Sequence, residues 1–130
     1  MVGAYIMTVY FNNYVYSIII PREVLEAVGK PENITIYWKA DERRILFRGV
    51  DKPCKNSYDV PPTLYTNYDA LVFPPLKHIK DTKKALGWDD DMYAVECRVV
   101  RNRDKDKDNE KMILCDLNTA QKSEDFNGTL

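Results

Sequence analysis

Glycine and histidine are scarce in this chain, with five glycines and one histidine, His78, in 130 residues. There is no P-loop, no GxGxxG and no HExxH, so neither a glycine-built phosphate cradle nor a helical zinc-protease site is expected. The three cysteines, Cys54, Cys97 and Cys115, show no CxxC spacing, and with His78 alone they make no zinc set. They read as reduced thiols of a cytoplasmic protein. Basic charge is not in excess either: 19 Lys and Arg against 20 Asp and Glu leave a net charge of −1. Any surface that neutralises phosphates must therefore be local. No apolar run approaches a membrane span. The N-terminal twenty residues lack a basic leader and are broken by Asn12-Asn13, so neither a signal peptide nor a membrane partner is expected. For catalysis, a nucleophile and base would have to come from His78 and one of the cysteines, and no local signature surrounds any of them. The expectation is a non-enzymatic chain without cofactor or metal.

What is present is the composition of a folded domain, 45% hydrophobic and 30% charged, with nine tyrosines. The most informative stretch is Tyr16 to Val50. The β-branched run Ile18-Ile19-Ile20 leads into Pro21, whose fixed φ and missing N–H suit the first position of a helix. Val24, Leu25 and Val28 form one apolar face, and Arg22, Glu23 and Glu26 fall on the other. Gly29 and Pro31 end that helix after roughly eight residues. Ile34, Ile36 and Trp38 then alternate with Thr35, Tyr37 and Lys39, a polar break follows, and Ile45-Leu46-Phe47 returns as the second arm of a hairpin. Upstream, Tyr5 to Phe11 and Tyr14 to Ile20 are expected to pair about a turn at Asn12-Asn13.

The same order of elements returns in the second half. Ala70 to Phe73 is a strand candidate, Pro74-Pro75 opens a helical segment containing Leu76, Ile79 and Leu86, and Gly87 closes it. Met92 to Val100 and Met112 to Leu117 read as a second hairpin around a charged turn from Arg101 to Lys111. The spacing differs: Pro21 to Gly29 is shorter than Pro74 to Gly87. A divergent repeat and an unrelated second unit both remain open. The resulting division is a first unit at 1–50, a proline-containing linker or loop at 51–69, a second unit at 70–118 and a flexible tail at 119–130.

IIIPREVLEAVG followed by ITIYW and RRILFRGV resembles the AbrB/SpoVT/MazE swapped-hairpin family of transition-state regulators and antitoxins, over about residues 14–50. The resemblance implies a β-rich α+β fold in which two units, usually from two chains, interleave their hairpins into one small barrel. It also implies a DNA-binding regulator or antitoxin-type module. If the second half is a repeat, one chain holds both units as a pseudo-dimer; otherwise a homodimer is implied. The alternative is a protein-interaction or assembly module of the same fold that binds no DNA.

DNA-binding members of that family place Arg or Lys on the strand before the Ile-Pro step, and Tyr14 to Ile18 has neither here. Contacts to duplex DNA would then fall to Arg22, Arg43 and Arg44 in the first unit. Lys77, Lys80 and Lys84 share one helical face in the second, with His78 and Lys83 beside them and only Asp81 opposed. A solvated helix exterior opposite Leu76, Ile79 and Leu86 is the other reading of that run. Asp104, Asp106 and Asp108 match the first ligand spacings of a calcium loop, but Asn109 and Cys115 stand where glycine and glutamate are needed, so a charged turn is preferred. Asp89-Asp90-Asp91 likewise reads as a turn.

Overall fold

In the computed structural model, which describes residues 6–101 and 111–123, the alternating stretches become strands of one antiparallel sheet. The strands are β1 (Met7–Asn12), β2 (Ser17–Pro21), β3 (Asn33–Lys39), β4 (Arg44–Val50), β5 (Ser57–Asp59), β6 (Ala70–Val72), β7 (Met92–Arg101), β8 (Lys111–Asp116) and β9 (Gln121–Lys122). Among the described residues three α-helices, α1 (Arg22–Ala27), α2 (Leu64–Asn67) and α3 (Lys77–Leu86), lie between them. The spatial order is β5-β3-β4-β8-β7-β1-β2-β6, with β9 beside β7.

Period-two patterning puts Met7, Val9 and Phe11 on the same buried face as Ile18, Ile20, Ile34, Ile45, Phe47, Val95, Cys97, Ile113 and Cys115, forming a continuous core. A twisted sheet with one greasy face buries it by curling. Here Tyr58 of β5, at one end of the strand order, meets Phe73, just past β6 at the other, with ring centroids 5.0 Å apart. The result is a curled, half-barrel sheet with few helices. Cys97 and Cys115 face each other across β7 and β8. Burial, and then the hydrogen bond with Cys97, push the Cys115 thiol well above its ordinary pKa.

The strand order has a partial internal symmetry. Exchanging β1 with β5, β2 with β6, β3 with β7 and β4 with β8 preserves β2–β6 and β4–β8 and interchanges β3–β4 with β7–β8 and β1–β7 with β5–β3, but β1–β2 has no β5–β6 counterpart among the described residues. Strand β1 thus pairs with β7 from the other half of the chain, and β5 pairs with β3.

Several local expectations shift. Pro21 is still in β2, opposite Ala70, and helix α1 starts one residue later with the Arg22 N–H donating to the Asp69 carbonyl at 2.8 Å. That helix runs six residues rather than eight, ending before Gly29, which takes φ +92° as the chain reverses. The first turn includes Asn13 but runs on to Tyr16: the Asn12 Oδ1 accepts from the Tyr14 N–H at 3.0 Å, and Tyr16 sits at φ 57° before β2 begins. The stretch read as linker or loop holds β5 and α2, because Val60 and Leu64 reach the core and the Tyr65 hydroxyl donates to the Pro31 carbonyl at 2.7 Å. The tail read as flexible from Thr119 is paired through Lys122, with β9 on β7. Residues 102–110, including the calcium-like Asp104, Asp106 and Asp108, and residues 124–130 lie outside the described residues.

Candidate nucleic-acid interface

Strand direction decides which candidate side chains meet. Strand β3 leaves α1 at Asn33 and reaches Lys39 at the far end of the sheet, and β4 starts back from there at Arg44. Helix α3 joins Phe73 to Met92 at that same far end, where the Leu76 N–H donates to the Tyr16 carbonyl at 2.8 Å. His78 of α3 accordingly stacks on Trp38 near the end of β3, with centroids 4.8 Å apart and planes inclined at 24°. Arg43, Arg44, Lys77, Lys80 and Lys84 therefore share one end of the sheet. Arg22 is at the opposite end, about 20 Å away by the rise of a seven-residue strand. Its guanidinium donates to the Tyr68 carbonyl at 3.1 Å and lies 3.9 Å from Glu26.

Helix α3 is positioned by its apolar stripe. Ile79 and Thr82 are buried, Leu76 and Leu86 pack on the core, and Gly87 closes the helix in the left-handed conformation at φ 70°. This turns Trp88 inward, stacked on Tyr93 at 4.9 Å and edge-on to Phe11 at 5.7 Å. The opposite face of α3 carries the lysines. With Tyr16, Asp81, Gly87 and Trp88, the residues Lys80, Lys83 and Lys84 line an open depression of about 480 Å³. The ammonium groups of Lys80 and Lys83 stand 6.0 and 5.4 Å from the Tyr16 ring centroid, within cation–π range.

Carboxylates share this end. Lys83 is ion-paired with Asp90, and Lys122 with Asp89 at 2.5 Å and Asp91 at 3.8 Å. Hydrogen bonding to Lys122, then its charge, holds the Asp89 carboxyl below its ordinary pKa, and Asp89 in turn raises Lys122. The Asp89 to Asp91 segment is a turn, as expected, with the Asp89 N–H donating to the Tyr93 hydroxyl at 3.1 Å. Among the described residues, no ion pair engages Lys77, Lys80 or Lys84.

Arg43 occupies a left-handed position at φ 56° in the β3–β4 turn, and Arg44 lies opposite Asp116. Both are exposed. Helical spacing gathers the lysines on one side of α3, but it gives no sign of Tyr16 as the aromatic wall beside them. That contact is made by the β1–β2 turn, which is distant in sequence and carries no motif. Among the described residues, no group of three or more His, Cys, Asp or Glu could hold a metal ion, and no helix is long and apolar enough to cross a membrane. No family model, curated protein or solved structure matches the chain.

Proposed function

We propose that this chain is a one-chain counterpart of the AbrB/SpoVT/MazE swapped-hairpin barrel and acts as a non-catalytic module that binds duplex DNA through its α3 end. The kinship is supported by the exchange of strands between halves, β1 onto β7 and β5 onto β3, which is the interleaving that family members usually reach with two chains. The observation that carries the DNA reading is the gathering of Lys77, Lys80 and Lys84 with Arg43 and Arg44 at one end, the lysines having no ion-pair partner among the described residues. Such a cluster gives affinity by displacing counterions from phosphates, so binding must weaken steeply with salt. Fluorescence anisotropy with a labelled duplex over a salt series tests this directly. The expected result is a linear fall of log affinity with log salt; no binding at low salt defeats the reading.

A second reading, a protein-interaction module of the same fold, is favoured by the carboxylates on this end. Asp90 neutralises Lys83, and Asp41 and Glu42 lie in the turn beside Arg43. A mixed surface of this kind suits a partner with alternating charge better than a uniformly anionic duplex. Retention of a stoichiometric protein partner, without DNA affinity, would decide for it.

A further inference from the structure

The geometry points to Cys97 and Cys115 as a redox modification site, a pair of core thiols that hydrogen peroxide converts to a cross-strand disulfide joining β7 to β8. The two residues are directly opposed in the antiparallel ladder and both turn into the core, where they are 2% and 0% exposed. Opposed residues in such a ladder have Cα atoms about 4.5–5.5 Å apart, inside the range of roughly 4.4–6.8 Å that a disulfide spans. The Cα spacing is therefore already within disulfide reach, and only a small backbone adjustment is needed to close the bond. Their Cβ atoms must draw slightly together, from about 4.5–5.5 Å to about 3.8 Å, which leaves the bond under some strain and easy to reduce again.

The neighbours define the pair further. Met7 stands opposite Cys97 on one side and Ile45 opposite Cys115 on the other, so each thiol's nearest in-register sulfhydryl is the other one. Cys54 is exposed and precedes β5, at the far end of the strand order from β7 and β8. It is not a rival within the chain.

The reaction balances with peroxide as the oxidant. One thiol, as its thiolate, attacks the peroxide oxygen; an S–O bond forms, the O–O bond breaks and water leaves, giving a sulfenic acid. The second thiol attacks that sulfur, the S–S bond forms, the S–O bond breaks and a second water leaves. Two thiols lose two electrons and peroxide gains them. Because burial disfavours the thiolate, the first step needs transient opening of the β7–β8 ladder. Peroxide is small enough to enter through such an opening. Mild urea, below the unfolding transition, should accelerate the reaction.

The test uses the full chain carrying Cys54→Ser, so that Cys97 and Cys115 are its only thiols. It is treated with hydrogen peroxide with and without sub-denaturing urea, then unfolded and alkylated without reductant. The expected product is a monomer two hydrogens lighter than the reduced chain, with no alkylatable thiol, a peptide linking Cys97 to Cys115, and full recovery of both thiols on reduction. Cys115→Ala in the same background should leave Cys97 unlinked. Two alkylatable thiols after peroxide in urea, or sulfinic acid in place of the linked peptide, would overturn the assignment. Circular dichroism of each sample in its own buffer, before and after treatment, establishes that the chain was not globally unfolded during the reaction.

Discussion

Ile19 lies directly opposite Val72, and each stands two residues before a proline, Pro21 and Pro74. The two strands that precede the helices thus cross at equivalent positions, which is what a two-fold relation between the halves requires. Their surroundings are not equivalent. Ile19 pairs on both sides, with Tyr10 and Val72, and is 4% exposed, whereas Val72 is on β6, the last strand in the order, and is 63% exposed.

This asymmetry predicts unequal mutants from equivalent positions. Ile19→Ala removes buried methyl groups and should lower stability by about 2–4 kcal/mol, while Val72→Ala should change it by less than about 0.5 kcal/mol. Urea unfolding followed by circular dichroism measures both. Equal losses would mean that Val72 is covered in solution.

Much of the fold was legible in the chain because its signals are local. Pro21 with Gly29, and Pro74-Pro75 with Gly87, bracket an apolar stripe that becomes a helix, although α3 starts only at Lys77, and alternation marks the two long hairpins. What escaped was short or distant. Strand β5 has three residues and α2 four, too few for any periodicity, and they form because Val60 and Leu64 find the core and β5 finds the open edge of β3. The candidate site divides the same way. Helical spacing put Lys80 and Lys84 together, but the separation of Arg22 from Arg43 and Arg44 depends on the direction of β3, which no residue pattern encodes.

Gly49 is fixed by a close approach and not by its own conformation. A Cβ there would lie 2.6 Å from the Pro31 Cβ, and Pro31 is buried in the connection from α1 to β3. Gly49→Ala must push β4 away from that connection and should cost about 1–3 kcal/mol, the usual range for overpacking. Combining it with Pro31→Ala does not relieve the clash, since alanine keeps the Cβ; Pro31→Gly does. Partial rescue of thermal stability in the Gly49→Ala, Pro31→Gly pair, relative to the sum of the two single losses, would establish the contact.

Tyr65 ties α2 to the connection before β3, and its phenol must be protonated to donate to the Pro31 carbonyl. Burial, and then the nearby charge of Glu26, raise its pKa from 10.0 to about 12. The folded value lies above the unfolded one, so this contribution is complete below about pH 10 and is lost as pH rises through about 12. Tyr65→Phe should cost about 0.5–1.5 kcal/mol near neutrality, the typical worth of one hydrogen bond. It should also flatten the decline of stability between about pH 10 and about pH 12. Urea midpoints at neutral and alkaline pH test the sign: an equally steep alkaline decline in Tyr65→Phe would show that another group governs it.

The proposed DNA interface makes a prediction about place as well as charge. Lys80 and Lys84 line the depression beside Tyr16, and Arg22 is at the other end of the sheet, engaged with the Tyr68 carbonyl and near Glu26. If phosphates bind at the α3 end, Lys80→Ala with Lys84→Ala should reduce the slope of log affinity against log salt by about 2, since each lost phosphate contact takes about 0.9 from it. Arg22→Ala should leave that slope unchanged, although both variants lose positive charge. Tyr16→Ala separates the two ways a ring could act there. Weaker binding to single strands with unchanged duplex affinity would mean that the ring stacks on bases, and an equal loss on both would mean that it only aligns the lysines. A slope change from Arg22→Ala about half as large as that from the lysine pair, one charge against two, would point to net charge and away from a defined surface.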